Sequence, residues 1–352
     1  MNAQYLESGE THVKVVAITG KRECEVVDRP DPSIKANYVK VKIHSVPMCT
    51  EFHAYQQGRP TDRLGHEAAG EVLEVAQPGR VAVGDRVVVM PGNGCGKCSL
   101  CLSGEHIHCE HPVDPGAICG TTDGRGTGRA TYADHCIQQD WLLVPIPDDL
   151  SYDHASMACC GLGPSFNAVQ MMNVNAFDTV LVSGLGPVGL GAVVNARFRG
   201  ARVIALEGRP WRAQLARSMG VEAVIDPKAE DALDQIKALT GGLGADKSIE
   251  ASSAEQAPDF LVKATRRKGQ VASVGWGGPI YARDVVGRGL AVHGAWHWNH
   301  LQDVEAMFST IRGSKDLLEK CITHRLPMSR VKDAWELQLT GECGKIILHP
   351  WE

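Results

Sequence analysis

Residues 180–191 read VLVSGLGPVGLG, and the order of residue types in this stretch decides the fold. A short buried-strand run ends at Ser183, and Gly184, Gly186 and Gly189 then stand as G-x-G-x-x-G where a helix opens. The first glycine makes the tight turn, the second lets the backbone approach a pyrophosphate, and the third allows close helix–strand packing. The helix N-terminus faces the phosphates. Pro187 and Val188 lie inside this turn and join the nucleotide-binding set. Glu207 follows the next strand run, RVIAL, 18 residues after Gly189 (207 − 189). An acid there bonds the adenosine-ribose hydroxyls and repels a 2′-phosphate, which predicts NAD over NADP. Arg209 and Arg212, close by, are the residues that would serve NADP instead.

Outward from this motif the texture is regular. AVIDP, KSIEAS, QVASVGW and LAVHGAW continue the strand series, with helix-like stretches such as PWRAQLARSMG between several of them. Strands alternating with helices predict a doubly wound parallel sheet with right-handed crossovers. Before Asp178 the chain looks different: residues 13–150 hold short β-branched runs such as YVKVKIHSV and GDRVVVMPG, bounded by turn residues, and read as β-rich. After His297 come an amphipathic stretch, LQDVEAMFSTI, and a last strand, KIILHP. No internal repeat or low-complexity segment is present.

The length, 352 residues, is long for one core and predicts two domains. A formal net charge of −5 leaves no basic footprint, which argues against nucleic-acid or anionic-membrane partners. No apolar run reaches the roughly 18 residues of a membrane helix. The opening MNAQYLESGETHVKVV is polar and does not read as a secretory signal. Twelve cysteines in such a chain predict reduced thiols in a cytoplasmic protein, where clustered cysteine means metal before disulfide.

Cys95, Cys98, Cys101 and Cys109 follow C-x2-C-x2-C-x7-C. Four thiolates this close can surround one tetrahedral zinc, and a closed four-sulfur shell leaves no position for substrate, so the site is structural. An iron–sulfur cluster uses four thiolates too, but nothing else in the chain suggests electron transfer. His106 and His108, between the third and fourth cysteines, are then surplus and read as solvated. A second constellation is dispersed. RLGHEAAGEV offers His66 beside Glu67, VPMCTEFHAY offers Cys49, Thr50, Glu51 and His53, and MACCGLGPSFNAV offers Cys159 and Cys160. Together they supply mixed sulfur and nitrogen ligands, as in catalytic zinc sites with three protein ligands and one open position.

With GHEAAGEV, the four-cysteine lobe, GLGPVGLG, VIALEGRPWRAQLARSMG and CITHRLPM in this order, the chain resembles the zinc-dependent medium-chain dehydrogenase/reductase family over nearly its whole length. The resemblance implies an α/β protein in which a chaperonin-10-like, β-rich catalytic domain (residues 1–160 and 298–352, with a structural zinc lobe at about 92–112) receives an inserted Rossmann domain (161–297). The active site then lies in the cleft between them. It implies two zincs per chain, the catalytic one on Cys49, His66 and Cys160 with Glu67 as the neighbouring carboxylate, and the structural one on the four cysteines. Val274 and Trp276, in VGWGG, would lie beside the nicotinamide, and Trp296 and His297 would line the cleft. The family usually reads Cys-x-Ser/Thr-Asp-x-His, so Cys49-Thr50-Glu51-Phe52-His53 lacks one residue and carries Glu for Asp. Thr50 would still begin the proton relay with His53 as its end, and Glu51 would orient His66.

The implied activity is reversible oxidation of a secondary alcohol, a polyol, sugar, aminocyclitol or amino alcohol, with hydride transfer to NAD. Simple alcohols, NADP dependence and a non-enzymatic nucleotide-binding role are the alternatives. The partners implied are a small-molecule alcohol and further copies of the chain, as a homodimer or homotetramer paired through RGLAVHGAW (288–296).

Overall fold

A computed structural model describes residues 12–119 and 130–352; the polar residues 1–11, on which the reading of no secretory signal rests, lie outside them. The glycine motif sits where its residue types require. Thr179–Ser183 is a strand with every residue buried, and Pro187–Phe198 is the helix that follows. Gly184 adopts φ 84°, open to glycine at little cost, and ends the strand. A Cβ on Gly189 would lie 1.8 Å from the Gly184 carbonyl oxygen, so only glycine lets the helix sit this close. At Gly186 an added Cβ would meet only the Arg212 guanidinium, at 3.9 Å, so the turn is open on the side a phosphate needs.

This strand is the third of six in an all-parallel sheet whose order is Ala223–Ile225, Arg202–Leu206, Thr179–Ser183, Ala245–Glu250, Thr265–Ser273, Ala291–Gly294. The order reverses direction between Thr179–Ser183 and Ala245–Glu250, and the crevice at such a switch point is where doubly wound sheets bind ligands. Helices Pro187–Phe198, Pro210–Ser218, Ala232–Leu239 and Ala257–Ala264 connect successive strands. Val180, Leu181 and Val182 are fully buried, each contributing about 1.5–3 kcal/mol over an exposed position. The edge strand Ala291–Gly294 is largely exposed.

The β-rich part builds a second, seven-stranded sheet around Tyr38–Pro47. That strand pairs antiparallel with Ala68–Val75, His135–Gln139 and Lys345–His349, and the last of these pairs parallel with Ile322–Pro327. The end of the chain therefore returns to the sheet formed near its beginning. The strand Ile322–Pro327 carries only one buried residue, Ile322, and for that reason CITHRLPM shows no strand pattern in the sequence. The helix Gly163–Met171 joins the two parts: Asn195 on the motif helix donates to Leu162 O at 3.1 Å and Ser165 Oγ at 2.8 Å. Among the described residues no helix is long and apolar enough to cross a membrane.

Candidate active site and metal centres

The four clustered cysteines converge in a lobe made of short turns. Their sulfur atoms all lie within 4.8 Å of one another, with Cys95–Cys101 at 4.0 Å and Cys98–Cys109 at 3.9 Å. Zinc–sulfur bonds of about 2.3 Å require tetrahedral edges of about 3.8 Å, so the set fits zinc. Backbone N–H groups point at the sulfurs: Cys98 N donates to Cys95 Sγ at 3.4 Å, and Cys95 N and His111 N donate to Cys109 Sγ at 3.3 and 3.4 Å. A backbone bond from Lys97 comes first among the groups that pull the Cys95 thiol down to about 6, toward the thiolate a metal needs.

The two histidines of the lobe behave differently from each other. His108 is exposed, as read from the sequence, but His106 is 2 % exposed and its Nε2 lies 3.0 Å from Pro91 O. The expectation that both are solvated is therefore corrected for His106. Its ring packs edge-on against His300, at 4.5 Å between centroids, and near Trp141. Burial holds both histidines neutral, pushing His300 down to about 3.

The dispersed constellation also converges. One ligand atom each of Cys49, His66, Glu67 and Cys160 lies within 4.8 Å of the others. Cys160 Sγ is 3.3 Å from His66 Nε2. The hydrogen bond from Cys160 lowers the Cys49 thiol well below its ordinary range. Two sulfurs, an imidazole nitrogen and a carboxylate at these separations are a donor set suited to zinc. Of the adjacent pair Cys159 and Cys160, only Cys160 joins the group; Cys159 is buried against Val89 O.

Glu51 organises one side of this group. Its Oε1 lies 2.7 Å from His66 Nδ1, and its Oε2 accepts from Cys49 N and Tyr132 Oη, each at 3.3 Å. The carboxylate fixes which His66 nitrogen carries the proton and leaves Nε2 as the free donor atom.

Glu67 is fully buried, and its two oxygens accept from Lys345 Nζ at 2.9 and 3.1 Å. Cys160 N donates to Glu67 Oε2 at 3.1 Å. Burial raises the Glu67 carboxyl to about 7. Lys345 is not among the sequence candidates; the available signal is a lysine opening the strand KIILH directly before three apolar residues, a position that calls for a buried partner.

The group opens onto a cleft of about 650 Å³. Cys49, Thr50, His66 and Cys160 form one side of it, and Val188, Ala251, Val274, Gly275 and Trp276 form the other. Trp296 and His297 line it as well, with His297 Nε2 3.7 Å from Cys160 Sγ. Trp276 is 80 % exposed and its ring meets Trp296 edge-on at 5.6 Å. His53 does not line the cleft: it is exposed, on the first turn of Phe52–Gln57, with its ring tilted against that of Phe52 at 4.1 Å between centroids.

A second pocket of about 470 Å³ runs along the glycine turn, lined by Gly184, Gly186, Glu207, Arg209 and Arg212 among others. It shares Ala251 with the cleft, so the two pockets are neighbours at the switch point. Glu207, just after the strand Arg202–Leu206, accepts from Leu185 N at 3.0 Å and Arg209 N at 2.8 Å.

Comparison with known proteins agrees in kind. Residues 35–148 match the alcohol dehydrogenase GroES-like domain and residues 187–312 the zinc-binding dehydrogenase domain. The sorbitol dehydrogenase of Bacillus subtilis (strain 168) is 29 % identical over 357 residues, covering 96 % of this chain and 98 % of its own. The L-threonine 3-dehydrogenase of Symbiobacterium thermophilum is 29 % identical over 338 residues, covering 91 % and 93 %. In structure, the alcohol dehydrogenase of Thermus sp. ATN1 superposes with a TM-score of 0.83 over 96 % of this chain and 99 % of its own; at 22 % identity this likeness shows the fold alone.

Proposed function

Because the chain belongs to the zinc-dependent medium-chain dehydrogenase/reductase family, it is an alcohol-acting oxidoreductase, and we propose that it reversibly oxidises a secondary alcohol of the polyol or amino-alcohol type, passing hydride to NAD. One observation carries this reading. Cys49, His66 and Cys160, with Glu67 buried beside them, line the same cleft as Val188, Val274 and Gly275 of the nucleotide-binding side.

We assign residues 1–160 and 298–352 to the catalytic domain and 161–297 to the nucleotide-binding domain. Their support is that all strands from 179 to 294 share one sheet, while those at 322–327 and 345–349 return to the other. Cys49, His66 and Cys160 are assigned to the catalytic zinc, and Cys95, Cys98, Cys101 and Cys109 to the structural one. When bound, zinc supplies a Lewis acid for the alcohol oxygen, and NAD supplies the hydride acceptor. Thr50, exposed on the cleft wall, takes the hydroxyl proton and passes it outward. His53 has only a surface part in that path. Glu51 holds the His66 ring, while Lys345 holds Glu67 beside the ligands rather than free. The turn of Gly184, Gly186, Pro187, Val188 and Gly189 seats the pyrophosphate, and Glu207 and Arg212 flank the adenosine ribose. Val274 and Trp276 border the nicotinamide.

The test is NAD and NADP reduction across polyols, sugars, amino alcohols and simple alcohols, with zinc counted per chain. Two zincs and turnover of a polyol or amino alcohol are expected; one zinc, or no alcohol oxidised with either cofactor, refutes the reading. Glu207→Ala should shift the NAD-to-NADP preference by about 10-fold or more, the scale of a hydrogen bond to a charged group. A parent enzyme that prefers NADP would move the assignment to Arg209 and Arg212.

The exposed edge strand Ala291–Gly294 supports a homodimer or homotetramer joined there, and light scattering that finds only monomer at micromolar concentration would exclude it. All twelve cysteines are free, which supports a cytoplasmic location.

A further inference from the structure

The cleft has an annex. A cavity of about 360 Å³ is lined by His66, Pro91, Gly92 and Asn93, which also line the cleft, and continues to Arg63, Gly65, Ala130 and Thr131, which do not. The nucleotide-binding side of the cleft is formed by Val188, Ala251 and Val274, none of which reaches this cavity. A substrate whose carbinol sits at Cys49, His66 and Cys160 reaches the annex past His66, which lines both spaces.

Val89, Met90, Pro91, Ala130 and Ile137 make the apolar part of the annex wall. The Gln138 amide is already committed, donating to Met90 O at 2.9 Å and Gly92 O at 3.2 Å. Two groups stand out against this wall. Thr131 is 2 % exposed and its hydroxyl has no hydrogen-bond partner among the described residues, although buried polar groups are nearly always satisfied. Arg63 stands exposed on the wall of the cavity, and among the described residues no carboxylate pairs with it. Its neighbour Asp62 is taken by Arg29, at 2.8 Å. The Arg63 backbone is held by its own turn, with its N–H donating to Thr61 Oγ1 at 3.1 Å. A guanidinium presents a rigid fork of donors that matches a carboxylate or phosphate in two-point contact.

We infer that the substrate is an alcohol bearing an anionic group, a hydroxy or amino-hydroxy acid or a phosphorylated polyol, and that Arg63 is the residue that selects it. This rests on the proposed placement of the reacting carbinol at Cys49, His66 and Cys160. It makes Arg63 a specificity residue rather than a catalytic one. The annex holds about 360 Å³, room for one end of a small molecule, and Thr131 lines it as a second polar contact.

The test is calorimetry on the zinc-loaded full chain with NADH, under which an alcohol binds without turning over. Two pairs of probes are compared: L-threonine against 1-amino-2-propanol, and sorbitol 6-phosphate against sorbitol. Binding about 10-fold or more tighter for the anionic member of either pair supports the inference, and the pair that shows it identifies carboxylate or phosphate as the source. Arg63→Met should reduce that advantage by about 10- to 100-fold, the range of charge-assisted hydrogen bonds, with Arg63→Lys retaining part of it. In steady state the change should fall on KM rather than kcat. Equal binding within both pairs, or an anionic advantage that survives Arg63→Met, overturns the inference. Arg63-dependent binding in a protein that oxidises no alcohol leaves the anion site standing and refutes the proposed function instead.

Discussion

Shortening one side chain, Glu51→Asp, tests how the site is held together. The chain lacks one residue between Cys49 and its acid relative to the family pattern, and the acid is one methylene longer. In the structure Glu51 Oε1 reaches His66 Nδ1 at 2.7 Å. Removing a methylene draws the carboxylate back by about one C–C bond, about 1.5 Å. The contact then opens to about 4 Å, beyond a hydrogen bond. His66 loses the partner that sets its tautomer, and Tyr132 Oη, on a residue 1 % exposed, loses its acceptor as well. Removing such an outer partner costs about 10- to 100-fold in metal affinity, or about 1.4–2.7 kcal/mol. Glu51→Gln keeps the length and an acceptor oxygen, so it should cost less than Glu51→Asp. The assay is zinc release to a colorimetric chelator. Of the two metal groups, only the one containing His66 should release faster, while the four-cysteine site serves as internal control. If Glu51→Asp holds both zincs like the parent, or Glu51→Gln is the weaker of the two, reach is not what the longer acid provides.

Cys98→Ser should lower thermal stability and remove one zinc per chain while sparing turnover per folded molecule, because a structural zinc contributes its binding energy to local folding; an unchanged melting temperature with full zinc content would contradict the staple reading. Thr50→Val should keep both zincs and lose rate by about 100-fold or more, the scale of acid–base assistance, whereas unchanged turnover in a pH–rate profile would remove Thr50 from the proton path. His300 is held down to about 3 by burial, against about 6.5 when unfolded. The unfolded chain therefore takes up the proton first, and stability is full above pH 6.5 and lost as pH falls, by about 1.4 kcal/mol per unit. Denaturant unfolding of the parent and of His300→Gln from pH 7.5 to 5 should show the variant with the shallower acid loss; parallel curves would mean that His300 titrates freely.

What could be read in the chain alone was whatever short-range pattern dictates. Gly184 and Gly189 are demanded by a positive φ and by a backbone contact between residues five apart, so the turn, its helix and the parallel sheet were legible locally. The four cysteines span fifteen residues, and their spacing alone brings four sulfurs within reach of one ion. The catalytic donors come from three segments, at residues 49, 66–67 and 160. Residue types made Cys49, His66 and Cys160 candidates, and only the pairing of the chain's last strand against Tyr38–Pro47 brings Lys345 onto Glu67, 278 positions away. His106 shows the limit from the other side. A histidine between zinc cysteines reads as solvated, and nothing local announces the Trp141 and His300 rings that bury it. Local conformation and ion-binding spacing are properties of a few neighbouring residues. Burial, the partner of a charge and the wall of a cavity are set by segments that meet only after the chain has folded.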